Sequence, residues 1–151
     1  MVDQLYQKNK NVSSFFQSNI CLGNTVADLC EMHRRYQVEQ GELKPKSIDR
    51  RECTIEKHIA PYPVGRMQLQ SVKISNVDGY ISGLIKEGRL SASSIEKVMD
   101  VLNAAYNWAV ARGELEFNPI APIKSTLGKR LQKMRQRTAN EADVSVLSEE
   151  M

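Results

Sequence analysis

The chain has little cysteine: Cys21, Cys30 and Cys53 are an odd number with no CxxC spacing. Neither a disulfide framework nor a zinc ribbon is suggested, and reduced, partly buried thiols are expected. No run approaches the roughly 18 apolar residues of a membrane span. The first residues lack the apolar stretch of a signal peptide, so a cytoplasmic chain with no membrane partner is expected. Gly-rich phosphate loops, HExxH and GxSxG are all missing, which leaves the common nucleotide-binding and hydrolytic chemistries without a motif. The only histidines, His33 and His58, have no second ligand at useful spacing. No catalytic residue, metal or cofactor is expected. There is also no alternating apolar pattern long enough to require a sheet, and no repeat of helix-pair length.

What remains is helical periodicity in a chain of 151 residues, long enough for one domain with tails. Residues 1–23 are rich in Asn, Gln and Ser around Phe15, Phe16 and Ile20, so a poorly ordered extension is expected there. Thr25 with Asp28 three residues on forms a capping box, after which Val26, Leu29, Cys30, His33 and Tyr36 mark a first helix ending near Gly41. Pro45 suits the first turn of a second helix that runs to about His58, before Pro61 and Pro63. Ser75 and Asp78 open a third, with Val77, Tyr80, Ile81, Leu84 and Ile85 as its stripe and Gly88 as its stop.

Ser91 caps the fourth helix, which carries apolar residues from Ile95 to Val110 and a second apolar line through Val101, Ala104 and Trp108. A helix apolar around so much of its circumference belongs at the centre of a bundle. Asn118 and Pro119 then close the compact domain. The expectation is an all-α, four-helix domain over 24–123, followed over 124–151 by a basic linker and the start of another helix at Ser148. Leu127, Leu131 and Met134 would let that linker become helical on contact.

The net charge of +3 favours an anionic partner only weakly, so the distribution of charge matters more. On the second helix Lys46, Arg50 and Lys57 fall on one side, with Ser47, Arg51, Thr54 and His58 on the adjoining strip. Cations and short hydroxyls in that mixture suit phosphates and base edges in a major groove of double-stranded DNA. Asp49, Glu52 and Glu56 leave open the alternative of a solvated face. At the start of the fourth helix, Ser91, Ser93, Ser94 and Lys97 offer hydroxyls, free N–H groups and a cation, which can hold phosphate or merely cap the helix. From Lys124 through Lys129, Arg130, Lys133 and Arg135 to Arg137 no acidic residue intervenes, giving either phosphate contacts or a solubilising tail. These sites reinforce one another only if they share a face. The competing reading is a helical protein-interaction module that uses the apolar excess around Trp108.

The run LNAAYNWAVARGELEFNPIAPIK from Leu102 to Lys124 resembles the end of the core-binding domain of tyrosine recombinases, the phage-type integrases. The resemblance extends back in order through TVADLCEMHRRY, KPKSIDRRECTIEKHIAPYPVGRMQLQSV, ISNVDGYISGLIKEG and LSASSIEKVMDVL, covering residues 25–123. It implies a SAM-like four-helix domain forming half of a clamp on core-site DNA, with the second and fourth helices toward the major groove. The basic stretch then corresponds to the linker that crosses the DNA, and VSVLSEEM resembles the first turn of the catalytic domain. The implied partners are the recombination core site, that catalytic domain and other protomers on the DNA.

The family's tyrosine nucleophile and its arginine, lysine and histidine partners find no match. His33-Arg34-Arg35-Tyr36 lacks the H-x-x-R order, and Tyr6, Tyr36, Tyr62, Tyr80 and Tyr106 all precede the expected catalytic region. Residues 1–23 hold no complete arm-type DNA-binding domain and correspond to its remnant or to a linker.

Overall fold

A computed structural model describes residues 24–149, with side-chain surroundings as far as residue 141; the expectations for residues 1–23, Cys21 included, lie outside it. α1 (Val26–Glu39) starts as its spacing predicts. Thr25 Oγ1 accepts from the Asp28 N–H at 3.2 Å while the Asp28 carboxylate accepts from the Thr25 N–H at 3.1 Å. Two N–H groups that the helix itself leaves without partners are thereby satisfied. Val26, Leu29, Cys30 and His33 bury one face. Burial, and secondarily the neighbouring Glu31 charge, pushes the Cys30 thiol up to about 12, so it packs as an inert small hydrophobe.

α2 (Pro45–Thr54) opens with proline in its first turn and buries none of its residues. It is held at its C-terminal end, where it widens into a π-helical turn over Ile55–Ile59, with the Ala60 N–H donating to the Ile55 carbonyl at 2.8 Å. Ile55 and Ile59 are buried and anchor the otherwise exposed helix. The short α3 (Pro63–Arg66) and a 3-10 turn (Leu69–Ser71) follow. They are tied back to the start of α1 by Val26 N–H to the Met67 carbonyl, 3.0 Å, and Leu69 N–H to the Asn24 carbonyl, 3.2 Å.

α4 (Ile74–Glu87) is capped two positions earlier than Ser75 implies. Asn76 Oδ1 accepts from the Lys73 N–H at 2.9 Å, so the cap is made by the Lys73–Asn76 pair and not by Ser75 with Asp78. Asp78 faces outward and is taken up by a cation from a distant helix, which local spacing could not show. Gly88 ends α4 at φ 69°, a left-handed backbone that glycine adopts without the Cβ penalty. α5 (Ala92–Ala111) is the central helix, buried from Ala92 to Ala109 and packed against α1, α2 and the last helix.

The chief departure from expectation is α6. Residues Ile120–Glu149 form one continuous helix, so the stretch expected as a linker is already helical and Ser148 lies in its last turn. Ile120, Ile123, Leu127 and Leu131 are all buried against α4 and α5. The bundle core therefore extends beyond residue 123, at least to Leu131. Asn118 is what connects them: its Oδ1 accepts from the Ile120 N–H at 2.9 Å, and its Nδ2 donates to Asn103 Oδ1 at 3.0 Å and Asn107 Oδ1 at 2.7 Å on α5. The Asn-Pro pair thus launches the next helix instead of closing the domain.

Among the described residues there are helices and one isolated bridge, Thr25 with Gln68, but no strand, in keeping with the expected all-α class. No helix there is long and apolar enough to cross a membrane.

Candidate nucleic-acid interface

No residue of α2 is fully buried, which leaves its polar side chains available, and packing at its end decides which of them meet α5. Ser47, Arg50, Arg51 and Thr54 of α2 line one groove of about 220 Å³ with Lys97, Asp100 and Val101 of α5. Residues from two of the three predicted basic sites are brought together there. Arg51 is half-buried and donates from Nη1 to Gln37 Oε1 at 3.0 Å, which fixes the guanidinium while leaving further N–H donors. Thr54 donates its hydroxyl to the Arg50 carbonyl at 2.8 Å. Glu52 lies away from the groove, 3.8 Å from Arg34 of α1, so one of the acids that would balance the helix face is engaged on its other side.

The other predicted residues fare differently. Lys46, Lys57 and His58 do not line the groove. The π-helical turn changes the angular register after Thr54, so Lys57 does not continue the Arg50 side, nor His58 the Arg51–Thr54 strip, as each would on a regular helix. The His58 carbonyl instead accepts from the Tyr80 hydroxyl. Ser91 caps α5, its Oγ accepting from the Ser94 N–H at 3.2 Å and donating to Ser94 Oγ at 3.0 Å. Ser91 and Ser93 border a separate hollow with Met134, Arg135 and Thr138 of α6.

Three cations of the basic run are braces. Lys124 Nζ lies 2.9 Å from Asp100 of α5, Arg130 Nη1 lies 2.7 Å from Asp78 of α4, and Arg135 Nη2 lies 3.6 Å from Glu96 of α5. The basic run is neutralised in part by acids from other helices, invisible when it is read along the chain. Lys129 is exposed and makes no ion pair among the described residues. Asp100 was also unforeseen: it places a carboxylate in the groove, paired with Lys124 of α6.

Comparison with protein-family models, curated proteins and solved structures finds no match. The interface is accordingly argued from its own residues.

Behind Arg51 lies His33, buried, with its ring 5.3 Å from that of Trp108. Tyr36 meets the same indole at 5.3 Å, and the Arg112 guanidinium stands 5.1 Å over it. Trp108 is therefore engaged within the chain, and the large exposed apolar residues, Val38, Ile74 and Phe117, lie elsewhere. Burial first, and the Arg51 charge second, bring the His33 pKa down to about 4.

In an unfolded chain a histidine titrates near 6.5. Between these two values the unfolded state binds the extra proton, so the contribution is complete above pH 6.5 and is lost as pH falls toward about 4. Unfolding stability is expected to drop by about 1–2 kcal/mol between about pH 7 and pH 5, with part of that drop removed in His33→Phe. Urea midpoints for both proteins at both pH values check this; equal drops would rule His33 out as the source.

Proposed function

We propose that the chain binds double-stranded DNA through the α2–α5 face, as the DNA-gripping part of a site-specific tyrosine recombinase acting in the cytoplasm. The observation that carries this is the shared groove of Ser47, Arg50, Arg51 and Thr54 with Lys97. The arginines and lysine suit phosphates or guanine edges, and the hydroxyls suit either phosphate or base. The resemblance to integrase core-binding domains supports the reading, because α2 and α5 are its second and fourth helices. In this proposal α1, α2, α4 and α5 form the SAM-like bundle, and cleavage belongs to a catalytic domain outside these residues. Other protomers on the core site complete the assembly.

The test is a titration of core-site duplex at several salt concentrations with the parent chain, Arg50→Ala and Lys97→Ala. Each substitution is expected to weaken binding about fivefold to tenfold, and Lys97→Ala to lower the slope of log affinity against log salt by about one. Salt-insensitive binding, or unchanged affinity in both variants, would overturn the proposal.

A further inference from the structure

We propose that the groove between α4 and α6 is a second phosphodiester-binding site, able to hold a stretch of nucleic acid separate from the one on α2–α5. The groove, about 490 Å³, is lined by Ser82 and Lys86 of α4 and by Arg130, Lys133, Met134 and Arg137 of α6. Four cations line it and no carboxylate does. Lys86, Lys133 and Arg137 make no ion pair among the described residues. Gathering like charges over a partly apolar floor is unfavourable until an anion arrives.

One member is already oriented. The Arg130 guanidinium is held by Asp78 Oδ1 at 2.7 Å and Ser82 Oγ at 2.7 Å, which leaves about three of its five N–H donors for a ligand. From Arg130 to Arg137 the helix rises about 10 Å, a length that meets several phosphates of one strand, since these recur about every 3.4 Å along a duplex axis. A row of that length fits a polymer better than a single ion.

The site is also distinct in place. Lys124 and Arg135 pair with α5, whereas Arg130 pairs with α4. Lys133 and Arg137, three and seven residues after Arg130, fall on its flank of α6. The groove thus shares no lining residue with the α2–α5 groove. The inference rests on the α2–α5 reading, because a second duplex presupposes the first one held on that face.

The experiment uses the full chain and two duplexes of about 20 base pairs, one carrying a donor and the other an acceptor fluorophore, with energy transfer reporting two duplexes on one protein. The parent chain is expected to bridge them. The triple variant Lys86→Ala, Lys133→Ala, Arg137→Ala is expected to lose bridging at least about tenfold while anisotropy shows first-duplex affinity within about twofold. Arg130 is kept because it braces α6, and circular dichroism of the triple variant confirms its helices. Arg50→Ala with Lys97→Ala tests the other face separately, through first-duplex affinity. Absence of bridging by the parent, or undiminished bridging by the triple variant, overturns the inference. So does binding of inorganic tripolyphosphate that depends on the three cations without any bridging, which would assign the groove to small polyphosphates.

Discussion

Leu131→Ala is expected to lower the unfolding free energy by about 2–5 kcal/mol, the usual range for truncating a fully buried leucine. Leu131 has no exposed surface and Leu127 only 2%, and both lie in the stretch whose basic run suggests a linker. Deleting three carbons there removes apolar contact and leaves a cavity that helix backbones on either side cannot collapse to fill. A residue on an undocked linker would behave otherwise, since exposed substitutions usually change stability by less than about 0.5 kcal/mol. Lys129→Ala, on the exposed side of α6, is the matched control in that smaller range. Urea unfolding followed by circular dichroism distinguishes the outcomes. A Leu131→Ala value as small as that of Lys129→Ala would show that α6 is not part of the cooperative unit.

Gly65→Ala is expected to cost about 3 kcal/mol or more, for a different reason. A Cβ at Gly65 would stand 1.8 Å from the Ile59 carbonyl oxygen and 2.6 Å from its carbon. Both sides of this contact are backbone, so no side chain can rotate away, and relief requires α3 and the π-helical turn to separate. Overpacking of even flexible core side chains costs about 1–3 kcal/mol. Gly79→Ala and Gly83→Ala provide the contrast, because a Cβ at either meets nothing within 4 Å. In the middle of α4 those changes are expected to be neutral or to stabilise by up to about 1 kcal/mol. The melting temperatures of the three variants should fall on opposite sides of the parent; a Gly65→Ala protein as stable as the parent would show that the close approach is not rigid. Since the π-helical turn anchors α2, the same substitution is also expected to weaken duplex binding.

Two helix starts were legible from partners three residues away. Thr25 with Asp28 and Ser91 with Ser94 form as the local spacing indicates, because an N-cap needs nothing from the rest of the molecule. The Ser75–Asp78 spacing is of the same kind, yet Asp78 serves Arg130 across 52 positions. Two acceptable bonding patterns existed, and long-range pairing decided between them. The apolar stripes that define α1, α4 and α5 were equally readable. The stripe through Ile120, Ile123, Leu127 and Leu131 was present too, but the dense positive charge around it pointed to an exposed strand of chain. Its neutralisation comes from Asp78, Glu96 and Asp100, which lie on other helices.

The basic surfaces divide in the same way. That α2 carries cations and hydroxyls on adjoining strips follows from residue order and helical periodicity. Whether those strips meet Lys97 depends on how α2 packs against α5, and that is set by Ile55, Ile59 and Gly65 at the far end of the helix. The wider turn there removes Lys57 and His58 from those strips, and nothing in the local composition announces it. Lys86 had no sequence signal linking it to Lys133 and Arg137.

Helical class, helix order and the chemical character of each face are thus properties of neighbouring residues, because capping bonds and 3.6-residue periodicity operate within one or two turns. Which charges remain available to a ligand and which brace the bundle was decided only by packing. Ion pairs between helices join residues that are tens of positions apart in the chain, and their partners become visible only once the helices are in place.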